Sequence, residues 1–310
     1  MCTTCGCSND AKTTITNLDS KHDHDHHSHD HSHEHGHEHG HTHGHSHSHA
    51  HDHHHPHTHD HDHDHLHDHA HTHAHAHGTT IALEEEILAK NNLLAERNRG
   101  WFEGRNILAL NLVSSPGSGK TTLLERTIRD LKDQLPINVI EGDQETINDA
   151  QRIKDTGCSV VQINTGTGCH LEADMLAQGL KELKPPMDSV VMIENVGNLV
   201  CPALFDLGEQ SKVAILSVTE GEDKPAKYPH MFRAADIMLL NKIDLLPHLN
   251  FDVQACIDCA KSVNPNIQVF QVSATTGEGL EQWYRWLHEQ IQDGANFTAQ
   301  ESTHESHAAL

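Results

Sequence analysis

The sequence predicts an α/β fold: a mostly parallel sheet flanked by helices, preceded by a His-rich N-terminal region that builds no core. Three observations carry this. Between residues 79 and 290, short and nearly continuous apolar runs alternate with helical patterns, as in strands buried on both faces. The first run leads through a Gly- and Ser-rich loop straight into a helix, the setting of a phosphate-binding loop. The composition also breaks sharply: 30 of the 36 His lie between His22 and His77, a stretch with ten Asp or Glu and no Lys or Arg. Apart from Leu66 and a few Ala it holds almost nothing apolar. Ordering it would bury too little surface to offset the lost chain entropy.

The chain therefore divides into a Cys-bearing head (1–21), a disordered low-complexity His tract (22–78), a folded domain (79–290) and a polar tail (291–310) expected to fray. The domain opens on a helix-like run, Ile81–Trp101, with Leu83, Ile87, Leu88 and Leu94 near one face and Glu84–Glu86 near its start. Ile107–Val113 reads as a buried strand and Thr121–Leu135 as a helix. Strand Ile137–Ile140 precedes helix Thr146–Asp155, and strand Val160–Ile163 precedes helix Leu171–Leu183. Val190–Ile193, Val213–Val218 and Ile237–Leu240 are further strands. Helix Phe251–Val263, strand Ile267–Val272 and helix Leu280–Gln290 complete the pattern.

The formal charge of −24 disfavours binding to DNA or RNA through the net field. No apolar run reaches 18 residues, so no membrane span is predicted. The start, Met1-Cys2-Thr3-Thr4-Cys5-Gly6-Cys7, has neither a basic nor an apolar segment and does not read as a secretory signal. The expected location is the cytoplasm, where the eight Cys serve as thiols or metal ligands and not as disulfides.

Ser114-Ser115-Pro116-Gly117-Ser118-Gly119-Lys120-Thr121 is the phosphate loop. Gly117 and Gly119 let the backbone approach phosphate, the amides from Ser118 to Thr122 face its charge at a helix N-terminus, and Lys120 reaches the β- and γ-phosphates. The Thr121 hydroxyl is the expected Mg²⁺ ligand. Ser114 stands where the usual pattern has its first Gly. Asn241-Lys242-Ile243-Asp244 ends another strand and has the pattern of GTP-binding proteins. Asp244 can accept from the guanine N1–H and exocyclic amine; adenine would leave that carboxylate unsatisfied. Asn241 braces the loop, the Lys242 stem covers the base, and Ser273-Ala274 fits a third base contact. Glu194-Asn195-Val196-Gly197 occupies the place of Asp-x-x-Gly, with Glu194 near Mg²⁺, through water if not directly. Asp143 reads either as a Mg²⁺ ligand or water-orienting group, or as the N-cap of the next helix. No catalytic Gln is identifiable beyond Gln144. Chemistry by positioning and electrostatics alone implies slow hydrolysis.

Cys169-His170 and Cys201 follow two different strands. In a parallel sheet they would emerge at the same end as the nucleotide loops. Two thiolates and an imidazole suit Zn²⁺ or Ni²⁺, one ligand short of a closed site. The same residues also fit two buried structural Cys and a surface His. Cys2, Cys5 and Cys7 have no core to pack into and offer up to three thiolates. Cys256 and Cys259, inside a helical run, and the isolated Cys158 read as packing residues. Neutral imidazoles of the tract, with pKa near ~6.5, suit Ni²⁺ and Zn²⁺ and would release them on acidification.

Taken together, Cys-x-x-Cys-Gly-Cys, Ser-Ser-Pro-Gly-Ser-Gly-Lys-Thr, Glu-Gly-Asp-Gln-Glu-Thr (141–146), Gly-Cys-His (168–170), Glu-Asn-Val-Gly-Asn-Leu-Val-Cys-Pro (194–202) and Asn-Lys-Ile-Asp resemble the HypB family, GTPases that insert nickel during NiFe-hydrogenase maturation. The resemblance covers residues 80–290 and the first seven, and Ser114 and Glu194 are usual within it. It implies a SIMIBI-class P-loop fold, GTP/GDP with Mg²⁺, and a homodimer linked to GTP. It also implies an interfacial metal site at Cys169, His170 and Cys201, and a tight nickel site at Cys2, Cys5 and Cys7. The implied partners are a HypA-type nickel chaperone and the NiFe-hydrogenase large-subunit precursor. The loops at Glu194–Gly197 and 114–121 would sense the γ-phosphate and move the metal loops. Urease accessory GTPases share the fold, GTP and nickel, but the Cys-x-x-Cys-Gly-Cys start and the Cys-His plus Cys set favour the hydrogenase factor. A metal store with a vestigial GTPase domain conflicts with intact Lys120, Thr121, Asn241 and Asp244. An ATPase of iron–sulfur assembly conflicts with Asn-Lys-Ile-Asp.

Overall fold

The computed structural model describes residues 13–19, 73–144 and 147–291, with the side chains of 73–84 excepted. Cys2, Cys5, Cys7, His22–Thr72 and the tail beyond 291 lie outside the described residues. Internal contacts separate a His-rich unit, His22–Ala76, from a unit of Met1–Lys21 and His77–Leu310 that holds the sheet.

Eight strands form one sheet: β1 (Thr14–Asn17), β2 (Leu108–Ser114), β3 (Ile137–Asp143), β4 (Ser159–Asn164), β5 (Val190–Glu194), β6 (Ser211–Ser217), β7 (Ile237–Asn241) and β8 (Gln268–Gln271). Their order is β1-β4-β3-β5-β2-β6-β7-β8. All neighbours are parallel except β1, which runs antiparallel to β4. The seven strands expected from the apolar runs are present to within a few residues at their ends. The additional β1 lies in the stretch read as a head outside the fold. Its alternating exposed and half-buried residues suit an edge, and Lys154 Nζ ties its turn to Asp19 Oδ1 at 2.7 Å.

The main helices are α1 (His73–Glu103), α2 (Lys120–Leu131), α3 (Asn148–Lys154), α4 (Ala173–Leu183), α5 (Cys201–Leu204), α6 (Lys224–Lys227), α7 (Pro229–Ala234), α8 (Val253–Val263) and α9, over 280–291. The short α5, α6 and α7 each carry Pro in the first turn. They are too brief for a helical period to register in sequence. Asp252 caps α8 by accepting from the Ala255 N–H at 2.9 Å. On one side of the sheet Leu108, Leu110 and Leu112 meet Leu123, Leu124 and Ile128 of α2 and Trp283 of α9. On the other, Ala109, Val191 and Ile193 meet Leu176 and Leu180 of α4 and Phe102 of α1. Each such buried side chain contributes about 1.5–3 kcal/mol, which fixes strand register. Cys256 packs in the core beside α7 and β7, and burial pushes its thiol up to about 12. Cys158 is likewise buried and pushed up to about 12.

α1 covers the run read as helix, with Ile87, Leu88 and Leu94 half-buried. It begins before Ile81, and its buried stripe is Asn91, Ala95, Asn98 and Phe102, at helical spacing but half polar. Leu93 remains exposed. The two Asn are buried because they satisfy loop backbone. Asn91 donates to Asp206 O (2.7 Å) and accepts from Ala173 N (2.9 Å), and Asn98 donates to Ala173 O (2.8 Å) and Leu207 O (3.0 Å). Among the described residues no helix is long and apolar enough to cross a membrane.

Candidate functional site

Parallel strands send every strand-to-helix loop to one end of the sheet. The loop after β2 is the phosphate loop. Gly117 and Gly119 sit at φ 76° and 92°, a region that side chains resist. A Cβ on Gly119 would lie 2.6 Å from Asn241 Nδ2, so the loop is packed against the end of β7. Asn241 Nδ2 donates to Ser118 O (3.0 Å), and Lys242 Nζ to Gly117 O (2.7 Å). Asn241 Oδ1 accepts from Ala274 N at 3.1 Å, and Asp244 Oδ1 accepts from the Ser273 hydroxyl at 2.5 Å. The three expected nucleotide segments are thus one connected surface. Thr122 is exposed at the start of α2, where its hydroxyl accepts from Arg152 at 3.2 Å.

Beside β2 lies β5, whose last residue is Glu194. Its Oε1 accepts from both Lys120 Nζ (2.8 Å) and the Thr121 hydroxyl (2.6 Å). Glu194 is 1% exposed. Its second oxygen, and one oxygen of the buried Glu141 opposite it on β3, have no hydrogen-bond partner among the described residues. The open second oxygen of Glu194, on the carboxylate that accepts from the Thr121 hydroxyl, fits a divalent cation such as Mg²⁺. Asp143 ends β3 on the same side. The N-cap of α3 is Ile147, so Asp143 does not fill the capping alternative. Gly197 lies against Pro116, with a Cβ 3.3 Å from Pro116 Cγ.

Burial first, then the charges of Glu194 and Asp143, pushes Glu141 up to about 9. Folding therefore holds a proton that the unfolded chain releases above its ordinary pKa of 4.5. Stability from this group is full below that value and falls as pH rises toward about 9, by up to about 1.4 kcal/mol per unit. Glu141→Gln is expected to flatten this slope. Melting curves from pH 5 to 9 without nucleotide check it; parallel wild-type and variant profiles would contradict the assignment.

The metal candidates also come together. The donor atoms of Cys169, His170 and Cys201 all lie within 4.8 Å of one another. Sγ of Cys169 is 3.0 Å from Sγ of Cys201 and 3.6 Å from Nδ1 of His170. A four-coordinate ion with bonds of about 2.0–2.3 Å needs donors roughly 3.3–3.8 Å apart, so small adjustments suffice. Burial pushes His170 down to about 4, which keeps the imidazole neutral and able to ligate. Its ring packs on Phe205 at 3.9 Å. Its buried Nε2 has no hydrogen bond among the described residues, because the nearest carboxylate, Glu172, is 3.8 Å away. The alternative of a surface His does not hold, since His170 is buried.

Sequence reasoning assigned no linking role to the residues that join the two sites. Gln144 Nε2 donates to Gly168 O (3.2 Å), which commits it to the metal loop in this structure. Asn195, next to Glu194, accepts from Leu171 N (3.1 Å), and Asn198 Nδ2 donates to Cys169 O (3.3 Å). Asn195 and Gln144 each follow a site acid directly, Glu194 and Asp143; Asn198 carried no such signal.

Fold and site together define a P-loop nucleotide-binding protein. A family model described as the CobW/HypB/UreG nucleotide-binding domain matches residues 108–271. The chain is 62% identical over 210 residues to the hydrogenase maturation factor HypB of Escherichia coli K12, covering 68% of this chain and 72% of that protein. It is 36% identical over 211 residues to the probable HypB of Methanocaldococcus jannaschii, covering 68% and 96%. The crystal structure of HypB from Helicobacter pylori in complex with nickel superposes with a TM-score of 0.62 at 38% identity, over 66% of this chain and 96% of that one. The structure of HypB from Archaeoglobus fulgidus gives the same score and identity, over 66% and 99%. The chain belongs to the HypB family of hydrogenase maturation factors, as the sequence resemblance implied.

Proposed function

We propose that the protein is a GTP-hydrolysing nickel metallochaperone that serves NiFe-hydrogenase maturation, with nucleotide state controlling metal at Cys169, His170 and Cys201. The observation that carries this reading is the direct hydrogen bonding between the two sites. Asn195 links the Glu194 segment to Leu171, and Gln144 links the end of β3 to Gly168. Nickel is the cargo, and Zn²⁺ competes for the same donors.

Gly117–Thr122 cradle the phosphates, and Lys120 neutralises them. Asn241, Lys242, Asp244, Ser273 and Ala274 bind guanine. Thr121, Glu194 and Asp143 would hold Mg²⁺, which would supply charge neutralisation for the phosphates. Positioning without a dedicated water-activating Gln makes the hydrolysis slow. Gly197, which packs against Pro116 of the phosphate loop, would sense the γ-phosphate, and the Glu194–Asn198 segment would carry its loss to Leu171 and Cys169.

The three-donor set is completed across a GTP-linked homodimer. Val200 and Leu204 flank Cys201 and remain exposed, which supplies apolar surface for a partner copy. A HypA-type chaperone donates nickel, and the NiFe-hydrogenase large-subunit precursor receives it, in the cytoplasm. Cys2, Cys5 and Cys7 form a second, tight nickel site, and the tract a reservoir of weak ones.

Nickel titration of the protein loaded with GDP or a GTP analogue tests the reading. The Cys169 site is expected to change affinity at least about fivefold between the two states. The same titration on a 22–77 deletion should lose the weak sites and keep that difference. Equal affinity in both states would sink the switch, because a ligand couples only through differential binding.

A further inference from the structure

We propose that a buried polar relay sets the spacing of the two halves of the Cys169–His170–Cys201 site, and that Lys212 is its terminal positioning residue. The proposal rests on the metal reading above. The two halves sit on separate segments, one after β4 and one after β5, and no main-chain pairing joins them directly. What joins them is side chains: Asn198 Nδ2 donates directly to Cys169 O at 3.3 Å, and a longer buried relay runs beside it. Leu171 N, next to His170, donates to Asn195 Oδ1 at 3.1 Å. Asn195 Nδ2 donates to Asn111 Oδ1 at 3.2 Å, and Asn111 Nδ2 to Glu209 Oε1 at 3.0 Å. Lys212 Nζ lies 3.4 Å from the same Glu209 oxygen. It donates to the carbonyls of Pro202 (2.8 Å) and Phe205 (3.4 Å). Pro202 is next to Cys201, so the chain of contacts starts beside one ligand and ends beside another.

The cost of this arrangement argues against mere filling. Asn111 is 0% exposed in the middle of β2, and Asn195, Glu209 and Lys212 are all buried. Burying an amide pair and an ion pair in a sheet core costs several kcal/mol before hydrogen bonds offset it. Apolar residues of similar volume would serve stability as well. What apolar residues cannot do is hold two loop carbonyls and a loop amide at set positions. The relay also begins at Asn195, one residue from Glu194, so movement at the nucleotide side reaches both metal-bearing segments together. Lys212 touches no metal donor and no nucleotide segment; it acts through Pro202 and Phe205.

The test uses the full chain with Cys2, Cys5 and Cys7 changed to Ser, so that thiolate-to-nickel charge transfer reports only the remaining site. Free nickel is set by a competing chelator, which keeps the His tract from fixing the endpoint. Lys212→Met should retain the wild-type circular dichroism and GDP affinity. The free nickel at half-saturation of the band should rise about 10–100-fold, the usual effect of losing an outer-shell partner. A folded Lys212→Met protein whose half-saturation stays within twofold of its parent would overturn the relay. If the variant fails to fold because Glu209 is left without its cation, Lys212→Met with Glu209→Gln removes that charge, and the same shift is expected; no shift overturns the proposal. Cys169→Ser together with Cys201→Ser must abolish the band. A band that survives it would overturn the metal reading itself and the relay with it, a result distinct from a relay failure alone.

Discussion

Replacing Lys120 with Ala is expected to lower single-turnover GTP hydrolysis by at least about 10²–10³-fold, the usual loss when one charge-stabilising donor is removed. The structure gives Lys120 a second task that enlarges the effect. Its ammonium is the counterion of Glu194, a carboxylate that is 1% exposed. Binding a triphosphate draws the ammonium toward phosphate, and the Glu194 oxygen shared with Thr121 is then available to a cation. One lysine therefore exchanges a protein partner for a phosphate partner. In the Ala variant neither arrangement is possible, and Glu194 faces Glu141 without a cation. Breaking a buried pair in this way costs about 3–5 kcal/mol, less to the extent that a carboxylate takes up a proton. Thermal melts without nucleotide should fall, and adding Glu194→Gln should restore the melt but not the hydrolysis. A Lys120→Ala protein that hydrolyses GTP within tenfold of wild type would contradict both roles.

The sheet and the nucleotide loops were legible because their signals are local. A strand buried on both faces is apolar along its length, as Val190–Ile193 is, and a phosphate loop must spell its Gly, Lys and Thr in one stretch. The metal donors were legible as a set, because their loops leave the same end of a parallel sheet, but not their distances. Whether Cys169 and Cys201 approach depends on strand order, and their loops follow β4 and β5 with β3 between. Hydrophobic period cannot reveal that order. β1 was missed for a related reason: Thr14–Asn17 offers one half-buried Ile to the sheet, and its pairing partner is more than a hundred residues away.

α1 shows what periodicity leaves out. Sequence period pointed to Leu83, Ile87, Leu88 and Leu94; Ile87, Leu88 and Leu94 are half-buried, and the fully buried positions of the same face include Asn91 and Asn98. Periodicity assumes that a helix docks by apolar contact. Here part of the face docks by satisfying the backbone around Ala173 and Leu207, the segments that follow His170 and Cys201. The same exception governs Asn111, Asn195 and Lys212. Polar residues in strand or loop interiors read as errors of pattern when only the sequence is in hand. They mark the places where the fold gives up apolar packing to hold a loop.

Asp244→Asn is expected to weaken GTP affinity by about 10²–10⁴-fold, because two hydrogen bonds to a charged acceptor are each worth about 1.5–3 kcal/mol. The carboxylate is well placed to discriminate. Its Oδ1 is held by the Ser273 hydroxyl at 2.5 Å, and Lys242 and Asn241 pin the same segment to the phosphate loop. The group cannot swing away to suit another base without breaking these contacts. In the variant an amide N–H₂ would face the exocyclic amine of guanine, donor against donor. Xanthine carries a carbonyl at that position and would accept from the amide. Asp244→Asn should therefore bind xanthosine triphosphate more tightly than GTP and hydrolyse it near the wild-type GTP rate, since Lys120, Thr121 and Glu194 are untouched. That gain separates a specificity role from simple loss of fold. Competition binding with GTP, ATP and xanthosine triphosphate decides the matter: a variant that keeps its GTP preference, or that binds all three equally weakly, would remove Asp244 from base recognition.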